Sequence, residues 1–97
     1  MHIERARRRV RLRDLETLVA VVQAGGMRKA AGQLNLSQPA VSKAVAELED
    51  ALGLKLLQRG RLGVEPTAFG AALVRRSEAL IDGVRGALQE LTEMADP

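Results

Sequence analysis

The chain has 97 residues, enough for one domain with a modest core and too few for an enzyme with separate cofactor and substrate domains. Hydrophobic residues make up 46% and aromatics 1%, so the core must come from Leu, Val, Ala, Ile and Met, and the absence of cysteine excludes disulfides, Cys-ligated zinc and thiol chemistry. The net charge of +3 is unevenly laid: residues 1–13 carry six Arg against one Glu and residues 62–97 six acids against three Arg, which suggests one face for a polyanion and another for something else.

Leu12, Leu15, Leu18, Val19 and Val22 recur at three and four, predicting an amphipathic helix from Leu12 that stops at Gly25 and Gly26. A second, two-turn helix over Met27, Ala30, Ala31 and Leu34 ends at Asn35, which tolerates a left-handed turn. Ser37 followed by Gln38 and Pro39 is an N-cap with proline in the first turn, opening a third helix that runs to about Leu52 and ends at Gly53. Leu54 to Leu57 and Leu62 to Glu65 read as two short strands joined by Gln58, Arg59, Gly60 and Arg61. Thr67 then caps a long helix with Phe69, Leu73, Leu80, Val84, Leu88 and Leu91 at steps of three, four or seven.

The longest uncharged apolar stretch, Thr17 to Met27, is far short of a membrane span, and Asp14 and Glu16 interrupt any secretory signal. The chain is read as cytoplasmic, with no membrane partner. Glu47, Glu49 and Asp50 could be imagined as catalytic carboxylates, but acids on the back of a helix are usually solvated or paired. His2 sits at an end expected to fray, and neither a metal nor a cofactor site is expected.

The strongest signal surrounds Asn35, Leu36 and Ser37. A helix-turn-helix needs small residues where the helices cross, a left-handed turn residue and buried apolar groups on the second helix; Ala30 with Ala31, Asn35, and Val41 with Val45 supply them. A helical hairpin in any small bundle has the same pattern, but Gln38, Ser42 and Lys43 give the second helix a polar outward face near its N-terminus, able to bond base edges and phosphates.

The identities Ala30, Ala31, Leu34, Leu36, Ser37, Gln38, Pro39, Ala40, Val41, Ser42 and Lys43, followed by Leu48, Glu49, Leu52, Gly53, Leu56, Leu57, Arg59 and Thr67, resemble the N-terminal DNA-binding domain of LysR-type bacterial transcriptional regulators. The resemblance implies a mainly α fold: a winged helix-turn-helix of three helices and a short two-stranded wing over 12–66, then a linker helix over 67–97; residues 1–11, mostly outside the resemblance, are read as a basic extension. It implies a homodimer on an interrupted, roughly palindromic double-stranded DNA site, with the third helix in the major groove. Carried over by position, Ser37, Gln38, Pro39, Ser42 and Lys43 would face DNA from that helix, and Arg59 with Arg61 from the wing. The linker stripe Phe69, Leu73, Leu80, Val84, Leu88 and Leu91 would pair with its copy, although it also suits an intramolecular core helix. Family members generally carry a C-terminal effector domain, so the resemblance also implies truncation, with any small-molecule inducer acting only through that absent part.

The chain departs from the family pattern in places: Met27 replaces a common aromatic, Arg28 a small hydroxyl residue, Leu57 an aromatic and Lys43 an arginine, which weakens bidentate guanine recognition there. Arg28 and Lys29 would oppose the dipole at their helix's start, a placement that suits either a nearby phosphate or simple solvation. The run Arg5, Arg7, Arg8, Arg9, Arg11 and Arg13 reads either as a flexible arm on DNA or as a solvated extension of the first helix. The competing function is a winged-helix protein-interaction or dimerisation module that binds no DNA.

Overall fold

In the computed structural model, which describes residues 1–96, the order is α1 (Ile3–Arg9), α2 (Leu12–Ala24), α3 (Met27–Leu34), α4 (Gln38–Leu52), β1 (Leu57–Gly60), β2 (Gly63–Pro66) and α5 (Ala68–Ala95). The core is aliphatic, as composition requires: Leu18 and Val21 of α2, Val41, Val45 and Leu48 of α4, and Leu56 before the wing are all buried. Ala30 and Ala31 are buried too, and their small side chains let α3 pack against α2 and α4.

The local signals for α2, α3 and α4 act as read. Gly25 closes α2 in the left-handed conformation, with φ 78°. Asn35 takes φ 58° and ψ 41° between α3 and α4, and the Ser37 Oγ accepts the Ala40 N–H at 3.2 Å to cap α4. Gly53 ends α4 with φ 66°.

Two expectations need correction. Residues 3–9 are neither a flexible arm nor a continuation of the next helix: they form α1, separated from α2 by extended backbone at Val10 and Arg11. His2 does not simply fray, because its Nδ1 accepts the Arg5 N–H at 3.2 Å, while Ala6 is buried and Arg9 pairs with Asp50 of α4. Seven residues cannot hold a helix alone, so these anchors are what order it. The architecture is therefore the expected one with an additional short helix in front.

The wing is shifted about three residues from its expected first strand. β1 and β2 pair antiparallel, Leu57 opposite Pro66 and Gly60 opposite Gly63, around a two-residue turn at Arg61 and Leu62. Leu54 to Leu56 is not strand because Leu56 turns into the core: its N–H donates to Glu49 Oε2 at 2.8 Å and its carbonyl accepts the Thr67 N–H at 3.0 Å. The Leu57 N–H also reaches Glu49 Oε2, at 3.5 Å, and the Val64 N–H donates to the Gly25 carbonyl at 3.2 Å. One carboxylate on α4 thus holds the entry to the wing. Replacing Glu49 by Ala should lower unfolding free energy by about 1–3 kcal/mol, the cost of leaving buried donors unmet. Faster amide exchange at Leu56 and Leu57 is the local check.

Thr67 caps α5 by accepting the Gly70 N–H at 3.1 Å and ties back by donating its hydroxyl to the Lys55 carbonyl at 2.6 Å. Gly70, Val74 and Ser77 are buried and Ile81 is half-buried, so the first half of α5 lies on the core, chiefly against α2. From Asp82 to Ala95 every residue is exposed. The helix, roughly 42 Å long at about 1.5 Å per residue, makes the molecule elongated, with extents of 51 × 33 × 21 Å.

Candidate nucleic-acid interface

Burial of Val41, Val45 and Leu48 fixes the rotation of α4, and the positions opposite, Pro39, Lys43 and Ala46, are exposed. Two shallow grooves flank this ridge. On one side Gln38 of α4 lines a groove with Met27 of α3 and Arg59, Gly60 and Val64 of the wing. On the other, Ala40, Lys43 and Glu47 of α4 face Arg11, Arg13 and Leu36. The wing-side groove carries Arg59, and the other carries Arg11, Arg13 and Lys43 against Asp14 and Glu47, so both linings are net positive and suit a polyanion.

The expected site residues fall as follows. Gln38 and Pro39 are exposed at the start of α4, beside the wing, and Lys43 is exposed one turn further on. The Ser37 Oγ is an acceptor within its cap, which leaves its hydroxyl proton available to a ligand. Ser42 is half-buried, and its hydroxyl lies 3.1 Å from the Met27 sulfur, so its donor is engaged inside the protein and only lone pairs face outward. Here Met27, a departure from the family pattern, acquires a role of its own. Arg28 and Lys29 are exposed on the first turn of α3, next to that methionine.

Arg59 lies within β1 rather than in the connection, and Arg61 occupies the turn with Leu62, which is fully exposed at the wing tip. Among the described residues the ion pairs are Arg7 with Glu4, Arg9 with Asp50 and Arg85 with Asp82. None of Arg11, Arg13, Arg28, Lys29, Lys43, Arg59 or Arg61 is in one of these pairs. Arg11 and Arg13 belong in sequence to one basic run; what separates them from Arg5 to Arg9 is the break at Val10 and Arg11, for which the sequence offers no glycine or proline signal.

Of the linker stripe, Phe69, Leu80, Val84, Leu88 and Leu91 are exposed and Met94 joins them, whereas Leu73 packs partly against the chain's own core. Gly70, Val74 and Ser77 form the buried side of the same helix, a side that the apolar stripe does not mark. Glycine and serine carry no apolar signal, although Val74 adjoining the stripe could have marked that side. Among the described residues no helix is long and apolar enough to cross a membrane, and no cluster of acids or histidine is arranged to hold a metal ion.

A family model described as "Bacterial regulatory helix-turn-helix protein, lysR family" matches residues 12–71. The transcriptional regulator GbpR of Azospirillum brasilense is 36% identical over 86 residues, covering 89% of this chain and 25% of that protein. The uncharacterized regulator YdcI of Escherichia coli K12 is 43% identical over 83 residues, covering 86% and 27%. The chain thus spans about a quarter of the length of these relatives. Among solved structures, the BenM DNA-binding domain in complex with catB site 1 DNA superposes with a TM-score of 0.86 at 32% identity, covering 90% of this chain and 97% of that one. CbnR, a LysR family transcriptional regulator, superposes at 0.75 with 32% identity, covering 86% and 28%. Residues 1–11, including α1, lie outside the matched family segment.

Proposed function

The chain belongs to the lysR family of bacterial regulatory helix-turn-helix proteins, and from that footing we propose that it binds double-stranded DNA sequence-specifically, with α4 in the major groove. The observation that carries this reading is the exposed face of α4 between Arg59 on the wing side and Arg11 and Arg13 on the other, none of which forms an ion pair among the described residues. Residues 12–66 form the DNA-binding unit. Residues 67–97 are the linker that pairs two copies, so that an interrupted, two-fold symmetric site receives one α4 and one wing per half. The protein regulates transcription in the cytoplasm and catalyses nothing. An inducer, where there is one, acts through a further domain of the kind its longer relatives have room for.

Within the interface, reading and holding are divided. Gln38 has an amide able to donate and accept at one base edge, whereas Arg11, Arg13, Arg28, Lys29, Arg59 and Arg61 supply charge to phosphates, with the Ser37 hydroxyl as a further donor. Lys43 points a single ammonium into the groove, and Ser42, turned toward Met27, shapes the wing-side wall and offers an acceptor. Replacing Gln38 by Ala should cost about 1–3 kcal/mol on the preferred site and little on random duplex, flattening discrimination at one position per half-site. Arg59→Ala should weaken both duplexes alike and reduce the salt slope of log affinity by about one unit per subunit. Titration of both variants against both duplexes at several salt concentrations checks the pair; equal loss for Gln38→Ala on specific and random DNA would overturn the assignment of α4 as the reader.

A further inference from the structure

We propose that the N-terminal segment through Arg11 corrects the charge of the DNA interface: Arg9 masks an acid on α4, Arg11 adds a phosphate contact, and together they reverse the sign of the flank of α4 opposite the wing. The inference rests on the DNA reading above and adds residues outside the matched family segment, which begins at position 12. Lys43, Glu47 and Asp50 follow one another along α4 at steps of four and three, so they share a face. All three are exposed, and Lys43 and Glu47 line the groove on that side with Arg11, Arg13 and Asp14. Asp50, one turn beyond Glu47, is paired with Arg9 at the end of α1.

On this flank the family segment itself supplies Arg13 and Lys43 against Asp14, Glu47 and Asp50, a net charge of −1. A flank of that sign repels a phosphate backbone. Arg9 and Arg11 bring it to +1. The two arginines have different parts. Arg11 lines the groove and is in none of the ion pairs among the described residues, so its guanidinium is available to a phosphate. Arg9 is held by Asp50 and acts through it. Asp50 lies seven residues after Lys43, roughly 10 Å along the helix at about 1.5 Å per residue. The Debye length is about 10 Å at 0.1 M salt, so an unmasked Asp50 is felt in the groove in dilute salt and little in concentrated salt. Burial of Ala6 and half-burial of Val10 fix where both arginines stand, since α1 ends beside α4 and the extended backbone at Val10 and Arg11 leads the chain into the groove.

The test is titration of the 97-residue chain with a random-sequence duplex over a range of salt concentrations. Arg11→Ala should reduce the slope of log affinity against log salt by about one unit per subunit. Arg9→Ala should weaken binding at least about threefold at low salt, with the loss fading as salt rises. Adding Asp50→Asn to Arg9→Ala should restore the affinity, and Asp50→Asn alone should bind at least as tightly as the parent, because the acid to be masked is gone. If Asp50→Asn alone weakens binding, the pair serves to order α1, and masking is overturned. If Asp50→Asn fails to restore the Arg9→Ala chain, Arg9 meets DNA directly, which overturns it as well. Unchanged affinity and slope in Arg9→Ala and Arg11→Ala, while Arg59→Ala still loses affinity, overturns this inference and leaves the DNA reading standing. A parent chain that binds no duplex overturns both.

Discussion

A chain carrying Leu80→Asp is expected to sediment as a monomer at concentrations where the parent is a dimer, and to lose affinity for a two-half-site duplex by roughly 100-fold or more, because the second half-site is no longer tethered to the first. Binding to a single half-site should change little. Leu80 is 50% exposed in one copy, so an aspartate there can reach water and the unfolding free energy of the monomer should move by no more than about 1 kcal/mol. In a dimer paired through the exposed stripe of α5, by contrast, the carboxylate would be buried among leucines, and that desolvation would oppose association. Near-normal dimerisation of this variant, measured by sedimentation, would mean that the exposed side of α5 has another use.

The second large effect concerns stability. A β-carbon on Gly70 would run into the backbone carbonyl of Leu56. That carbonyl has no freedom to retreat, since the Thr67 N–H holds it and the Leu56 N–H is held by Glu49. Gly70→Ala should therefore lower the unfolding free energy by more than about 3 kcal/mol, visible as a large drop in melting temperature, even though alanine is the better helix former. The same replacement at Gly83 or Gly86, where a β-carbon meets nothing, should instead raise helix stability by about 1 kcal/mol per site. A neutral Gly70→Ala would contradict the close approach of α5 to the wing entry.

What could be read from the chain alone follows from how local each signal is. Gly25, Asn35, Ser37, Gly53 and Thr67 set helix ends through their own backbone or through a side chain reaching three residues on, so α2 to α5 were legible nearly to the residue. The wing was misplaced because the apolar run from Leu54 to Leu57 has the pattern of a strand, whereas Leu56 is consumed by packing and by a carboxylate seven residues earlier. Helix α1 was hidden for a similar reason: its order depends on Ala6 and on an ion pair reaching 41 positions along the chain, neither of which leaves a periodic trace in a run of arginines. At the interface, residue types were legible but hydroxyl orientation was not, since the sulfur beside Ser42 arrives from another helix.

The anchoring of the wing bears on how binding free energy is apportioned. Its entry is fixed by Glu49, its exit by Thr67, and its second strand by the carbonyl that closes α2. The positions of Arg59 and Gln38 relative to each other are therefore established when the domain folds. A loose hairpin would have to become ordered on contact, and that conformational entropy would be subtracted from affinity at every site, cognate or not. Here the backbone entropy is lost at an earlier step, leaving only side-chain freedom to be given up at the DNA surface. Preorganisation of this kind makes the wing's contribution depend on its charge rather than on its flexibility.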